Sequence, residues 1–171
     1  MTKRIVQKEH RALRKIARAI DPKEISTTKI QKMIVEMTVA LEKEPDGVAL
    51  AAPQIGESLR LFIVSPMAYE AMNFSGKKKL VFINPVILKR SKDKKLVEEG
   101  CLSVRPLYGK VRRSSRVTIE AYDERGEKFI MESTGLLAQI FQHETDHLEG
   151  VLFTDKAKEL MEMPKEFYEK H

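Results

Sequence analysis

The stretch QHETDHLEG, residues 142–150, constrains the fold of this chain more than any other part of the sequence. It places His143 and His147 four positions apart, with Glu144 directly after the first histidine. Residues four apart lie on one face of an α-helix, so both imidazoles can bind one metal ion if this segment is helical. Glu144 then lies one step around the helix, within reach of a water molecule at that ion. The stretch therefore predicts a helix and half of a hydrolytic metal site.

Apolar residues at helical spacing predict that this helix begins near Thr134 and runs for about four turns. Apolar residues recur at the same spacing over residues 30–41 and predict a second, N-terminal helix. Ser26, Thr27 or Thr28 is expected to cap that helix, and Pro45 with Gly47 to end it. Both apolar stripes are typical of helices packed on a core.

The sequence between the two helices predicts strands. LRLFIVS, residues 59–65, and KLVFINPVIL, residues 79–88, are short apolar runs bounded by polar residues. Residues 116–133 alternate apolar and polar side chains around Glu124-Arg125-Gly126, which predicts a hairpin. We therefore expect an α+β fold, with antiparallel sheets packed around the helix that carries the two histidines and a second helix near the N-terminus.

Length and composition predict one domain. The 171 residues suffice for one sizeable core, and we expect a single domain over residues 1–171 with a flexible tail at 156–171, which Pro164 interrupts.

The net charge of +6 comes with basic clusters but without interleaved aromatic residues, so we expect no specific nucleic-acid readout. No apolar run is long enough for a membrane span, and no secretory or transit signal is apparent. We expect a cytoplasmic protein, or one in an organelle of bacterial origin, with no membrane partner.

The third metal ligand is not given by the helix. A hydrolytic metal needs three protein ligands and an open position, but the slot that holds a third histidine in many metalloproteases is Phe153 here. Glu166 is one candidate. The other is Cys101, the only cysteine, which follows a predicted tight turn at Gly100 and whose thiolate would bind a transition metal well.

Three stretches resemble the three motifs of the peptide deformylase family, in order and in spacing. They are GVALAAPQIG at 47–56, EGCLS at 99–103 and QHETDHLEG at 142–150. Shorter matches, ALRKIA, INP, YGKV and LFTD, extend the resemblance over about residues 12–155. The resemblance implies that Cys101, His143 and His147 bind one divalent metal ion per chain. In the family this ion is natively ferrous iron, which zinc, nickel or cobalt can replace.

The resemblance also implies an activity. The family hydrolyses the N-formyl group from the N-terminal formyl-methionine of newly made polypeptides and releases formate. Glu144 would act as the general base and then as the general acid. The side-chain amide of Gln54 and the backbone N–H of Leu102 would stabilise the oxyanion. Formyl-methionyl nascent chains are the expected partners, together with the ribosome that makes them.

The methionine side chain requires an apolar pocket with a few placed polar groups. Its candidate walls are Val48, Val97, Leu136 and Ile140, of which Val48 lies inside the first motif. Ala49 and Gly100 are expected to contact the substrate backbone. Each of the four wall residues is equally explicable as part of the core.

The chain departs from the family pattern at two positions. Ala49 replaces the second glycine of the first motif, and Arg105 stands where proline commonly follows EGCLSV. Because both positions concern substrate recognition, one alternative is a deformylase-like hydrolase with a changed substrate. Two others are a different metallohydrolase, in which Cys101 is not a ligand, and a non-catalytic binding module. The resemblance further suggests that Glu99 orders the loop around Cys101 by pairing with Arg113.

Overall fold

The computed structural model describes residues 3–168. Its α-helices are α1 (Thr28–Glu42), α2 (Pro66–Ala71) and α3 (Gly135–Leu148). Its strands are β1 (Ala49–Ala51), β2 (Leu61–Val64), β3 (Val81–Arg90), β4 (Lys94–Gly100), β5 (Leu107–Ser114), β6 (Arg116–Tyr122), β7 (Lys128–Thr134) and β8 (Lys158–Glu162). Short 3-10 turns fill several connections, one of which follows β1 directly.

The strands form two antiparallel sheets. The larger sheet has the order β1-β2-β3-β6-β7, and the smaller has the order β4-β5-β8. The hairpin between β6 and β7 is confirmed, and Asp123 shapes its turn by accepting hydrogen bonds from the backbone N–H groups of Arg125 and Glu127 at 3.0 and 2.9 Å. Gly126 has φ +82° there, a conformation that glycine adopts without steric cost.

Helix α3 connects the two sheets, because it contacts β1, β6 and β7 of the larger sheet and β5 of the smaller one. On the side of the larger sheet, Phe141 is fully buried, and its ring centroid lies 4.9 Å from that of Phe82. The Phe82 ring in turn stacks on the Phe62 ring, with the centroids 4.7 Å apart. Toward β5, the buried amide of Gln142 accepts from the Ser114 N–H at 2.9 Å and donates to the Ser114 carbonyl at 3.0 Å. These contacts fix the rotation of α3, and with it the direction in which its histidines point.

Helix α1 covers the other part of the core with the apolar stripe that the sequence predicted. Ile30, Met33 and Met37 are buried, and Thr27 occupies the N-cap position without a side-chain capping bond. The predicted α+β class, with a helix near each end and antiparallel sheets around α3, is confirmed.

Toward the C-terminus, β8 pairs with β5, with Leu107 opposite Glu162. The extent of the domain and the flexibility of the tail stay predictions, and residues 169–171 of that tail lie outside the described residues. Among residues 3–168, no helix has the length and apolar character needed to cross a bilayer.

Candidate metal centre

Helix α3 presents both histidines to the same point. His143 and His147 are four residues apart on it, and their ring centroids are 4.9 Å apart. His147 is buried, and its Nδ1 has no hydrogen-bond partner among the described residues. Its Nε2 faces the sulfur of Cys101.

Cys101 enters the site from the smaller sheet. It directly follows β4, and its carbonyl accepts from the Val104 N–H at 3.0 Å in a tight turn that holds the side chain against α3. Its Sγ lies 3.3 Å from His147 Nε2, and one donor atom from each of Cys101, His143 and His147 lies within 4.8 Å of the others. Ligands of a tetrahedral metal at ordinary bond lengths are ~3.5 Å apart, so one sulfur and two nitrogens at these separations fit a divalent ion. Glu166, the alternative third ligand, is exposed and does not belong to this group.

A buried carboxylate orients His143. Glu99, near the end of β4, pairs with His143 Nδ1 at 2.8 Å and accepts from Arg113 Nε and Nη2, each at 2.7 Å. Asp146 accepts from the remaining Nη1 of Arg113 at 2.7 Å and also pairs with Lys156. An Nδ1–H that donates to Glu99 leaves the Nε2 lone pair of His143 free for a metal ion. The suggested pairing of Glu99 with Arg113 is thus present, and it extends to a metal-ligand candidate.

Burial and these partners set the charges around the site. Burial raises the pKa of Glu99, but the hydrogen bonds from Arg113 and His143 outweigh it and lower that pKa to about 2. Burial also opposes a proton on His143, yet its bonds to Cys101 and Glu99 raise its pKa well above the usual value. At His147, burial and the charge of His143 lower the pKa. Of the two histidines, His143 therefore holds a proton more strongly, and its Nδ1 faces Glu99.

Glu144 lies beside the cluster in a different environment. It is buried, and its Oε2 has no hydrogen-bond partner within residues 3–168. Burial raises its pKa to about 7, while the charge on His143 acts in the opposite direction. A carboxyl group with this pKa can both accept and release a proton near neutral pH.

Gln54 and Leu102 flank the sulfur. The Gln54 side chain is fixed because its Oε1 accepts from the Ala51 N–H at 2.8 Å, and its Nε2 lies 3.5 Å from Cys101 Sγ and 3.2 Å from Ser103 Oγ. The Leu102 N–H donates to no acceptor identified among the described residues, and its carbonyl accepts from Gln7 at 3.0 Å. Two donors therefore lie next to the metal ligands.

Sequence reasoning missed three residues that hold this site. Ser103 and Gln142 lie inside the quoted motifs, so their positions already marked them for attention. Gln7 lies in a charged N-terminal stretch with no local pattern to distinguish it.

A cavity of about 520 Å³ opens onto this cluster. Of the predicted substrate-binding residues, those on its lining are Val48, Ala49, Gly100, Leu136 and Ile140. Val97 does not line the cavity; it is half-buried on β4, opposite Val111 of β5. The other lining residues include Arg105, Met163, Pro164 and Phe167.

Comparisons with known proteins point in one direction. A family model described as polypeptide deformylase matches residues 2–163. Peptide deformylase 2 of Clostridium acetobutylicum is 38% identical over 151 residues, covering 88% of this chain and 92% of that protein. The chloroplastic/mitochondrial peptide deformylase 1A of Arabidopsis thaliana is 38% identical over 151 residues, covering 82% of this chain and 55% of that protein. The crystal structure of peptide deformylase from Thermotoga maritima has a TM-score of 0.80 at 34% identity, covering 92% of this chain and 99% of that one.

Proposed function

The chain belongs to the polypeptide deformylase family, and we propose that Cys101, His143 and His147 bind the single divalent ion on which the family's reaction depends. Members of this family are metal-dependent hydrolases that remove the N-formyl group from newly made polypeptides. The observation that carries the assignment is the convergence of one sulfur and two imidazoles within 4.8 Å at the cavity. We propose ferrous iron as the ion in the cell, while the same donor set also accepts zinc, nickel or cobalt.

Glu144 is the proton carrier of the proposed mechanism. When bound, a divalent ion supplies a Lewis acid that polarises the formyl carbonyl and makes water more acidic. Glu144 takes the proton of the attacking water and later gives it to the amine nitrogen, so formate and a free amino terminus leave. Its raised pKa, about 7, suits both steps near neutral pH.

Gln54 and Leu102 stabilise the charge that develops on the formyl oxygen. The Gln54 amide already lies 3.5 Å from Cys101 Sγ and is held by the Ala51 N–H and by Ser103. The Leu102 N–H lies in the turn between Cys101 and Val104. Gln7 stabilises this turn by donating to the Leu102 carbonyl. Donors fixed before the reaction act on the oxyanion without a cost in reorganisation.

The methionine side chain binds in the apolar part of the cavity. Val48, Leu136 and Ile140 provide its surface, with Ala49 and Gly100 next to the substrate backbone. Val48 and Leu136 are half-buried, so each combines a place in the core with a face open to the cavity. Val97 has no part in this proposal because it lies off the cavity lining.

We also propose that this single domain acts at the ribosome, in the cytoplasm or in an organelle of bacterial origin. Its substrates emerge there, and a chloroplastic/mitochondrial relative is known. The end of β3, the start of β4 and the connection between them carry five exposed cations that suit an RNA-rich surface: Lys89, Arg90, Lys92, Lys94 and Lys95. Sedimentation with ribosomes should decrease as salt increases, and an absence of co-sedimentation at low salt would contradict the proposal.

The deciding experiment is formate release from formyl-Met-Ala by protein purified anaerobically with ferrous iron. The wild type should release formate, and Glu144→Ala should retain its metal but release none. Cys101→Ala should lose the metal, whereas in a metallohydrolase of another type it would keep it. Glu149→Ala, which changes an exposed residue of the same stretch, is the matched control and should resemble the wild type. No formate from fully metallated wild type would contradict the proposal.

A further inference from the structure

The chain after β8 runs along the edge of the cavity. We call residues 163–168 the terminal wall. Its first residue, Met163, donates its N–H to the Pro106 carbonyl at 2.7 Å, and the Met163 methyl group lies 3.5 Å from where a Cβ on Gly100 would be. Met163, Pro164 and Phe167 line the cavity. Because Gly100 directly precedes Cys101, the terminal wall begins beside the metal centre.

Arg105 connects the terminal wall to the opposite rim. Its two terminal nitrogens donate to the two carboxylate oxygens of Asp46 at 3.0 and 2.7 Å, and it lies 3.6 Å from Glu44. Its guanidinium also lies over the Tyr168 ring, 5.8 Å from the centroid. The Arg105 side chain is only 13% exposed, so these contacts hold it in place. Arg105 therefore joins three segments of the rim.

Phe167 gives the terminal wall an open apolar surface. It lines the cavity, yet 64% of it is exposed among the described residues. Met163 lies beside Gly100, next to Cys101, so the terminal wall is close to the residues that follow a methionine bound at the metal centre. A large apolar side chain left open on this wall suits contact with a substrate.

We propose that the terminal wall is a binding subsite for the second and third residues of the peptide, where Met163 and Phe167 favour apolar side chains. Arg105 is a positioning residue that keeps the wall against the cavity. This inference rests on the proposed function and extends it to substrate preference. The site thus has a part formed by the C-terminal segment in addition to the motif residues.

The test compares kcat/KM for formyl-Met-Leu-Leu amide and formyl-Met-Ser-Ser amide. The wild type should favour the leucine peptide. Phe167→Ala should lower kcat/KM for the leucine peptide about fivefold and leave the serine peptide within about twofold, as expected for one partly exposed apolar contact. Leu160→Ala is the matched control, because Leu160 is 46% exposed on β8 and lies off the cavity lining.

A second variant tests the role of Arg105. Arg105→Gln should raise KM for the leucine peptide with little change in kcat, and Arg105→Lys should recover part of the loss. Equal losses on both peptides, or no loss in Phe167→Ala, would overturn the subsite alone. A metallated wild type that is inactive on both peptides would overturn the proposed function and the subsite together.

Discussion

Replacing Glu99 by glutamine tests the buried network that supports the metal centre. Glu99 Oε1 accepts from Arg113 Nη2 and pairs with His143 Nδ1, while Oε2 accepts from Arg113 Nε. Glutamine keeps one acceptor oxygen and replaces the other with an NH₂ group. If the retained oxygen faces His143, the NH₂ group faces Arg113 Nε–H, so two donors oppose each other in a buried site.

The structure sets the size of the expected loss. Removing one partner of a buried ion pair costs about 3–5 kcal/mol, because the other charge is left without compensation. Arg113 retains Asp146 at 2.7 Å, so we expect the lower end, about 3 kcal/mol. For a chain of this length that loss lowers the melting temperature by about 6–12 °C. His143 also loses its anionic partner, and such losses weaken metal binding about 10- to 100-fold.

Two measurements check these values. Urea unfolding of metal-free protein gives the change in unfolding free energy, and competition with a chelator gives the metal affinity. Glu98→Gln, an exposed neighbour on β4, should change stability by less than about 0.5 kcal/mol. Adding Arg113→Met should cost less in the Glu99→Gln background than in the wild type, because the charges act as a pair. Unchanged stability and metal content in Glu99→Gln would refute the role of this network.

Three further substitutions test the fold around the site. Asp123→Asn removes a buried carboxylate. Burial raises the pKa of Asp123, but the Lys79 ammonium and the N–H groups of the turn outweigh it and lower that pKa. We expect the free energy of unfolding to fall by about 2 kcal/mol at pH 7. Because a lowered carboxyl pKa stabilises the fold above its ordinary value of 3.8, that loss should shrink as pH falls below 3.8 in urea titrations, and a pH-independent loss would contradict the assignment. Gly150→Ala should lower the melting temperature, because Gly150 has φ +72° and a Cβ would lie 2.8 Å from the Arg14 carbonyl; an unchanged melting temperature would show that no strain arises. Phe141→Ala should cost about 4 kcal/mol in urea unfolding, and a loss below about 1 kcal/mol would contradict its place in the core.

Local patterns were sufficient to predict the elements that carry the site. The sequence predicts that helix α3 begins near Thr134, and it begins at Gly135. The prediction was possible because the buried side chains of α3 repeat at helical spacing. The β6–β7 hairpin was predicted from strand alternation and from the turn that contains Gly126. For the site, the four-residue spacing of His143 and His147 on one helix follows from local geometry alone.

Contacts between distant parts of the chain could not be predicted in this way. Cys101 meets the histidines because side chains of α3 bond to the end of β4, Gln139 to the Glu98 carbonyl and His143 to Glu99. Residue spacing alone left Glu166 as a rival ligand. Strand β8 forms because its backbone pairs with β5, although its side chains are all exposed and show no alternation in burial. Val97 has the apolar character of a pocket residue, but its strand register places it opposite Val111 and off the cavity lining.

The two departures from the family pattern have different structural consequences. Ala49 is only 6% exposed and belongs to the core cluster that also contains Ile140 of α3, so its methyl group contributes to the packing between β1 and α3 beside the cavity. Because the Ala49 methyl group is packed among buried neighbours, it fits this core without leaving a gap. Arg105 instead contacts two other segments at the rim, with Asp46 on one side and Tyr168 on the other. Both departures therefore lie at the cavity: Arg105 changes the charge and the contacts of its rim, and Ala49 adds a buried methyl group to its lining.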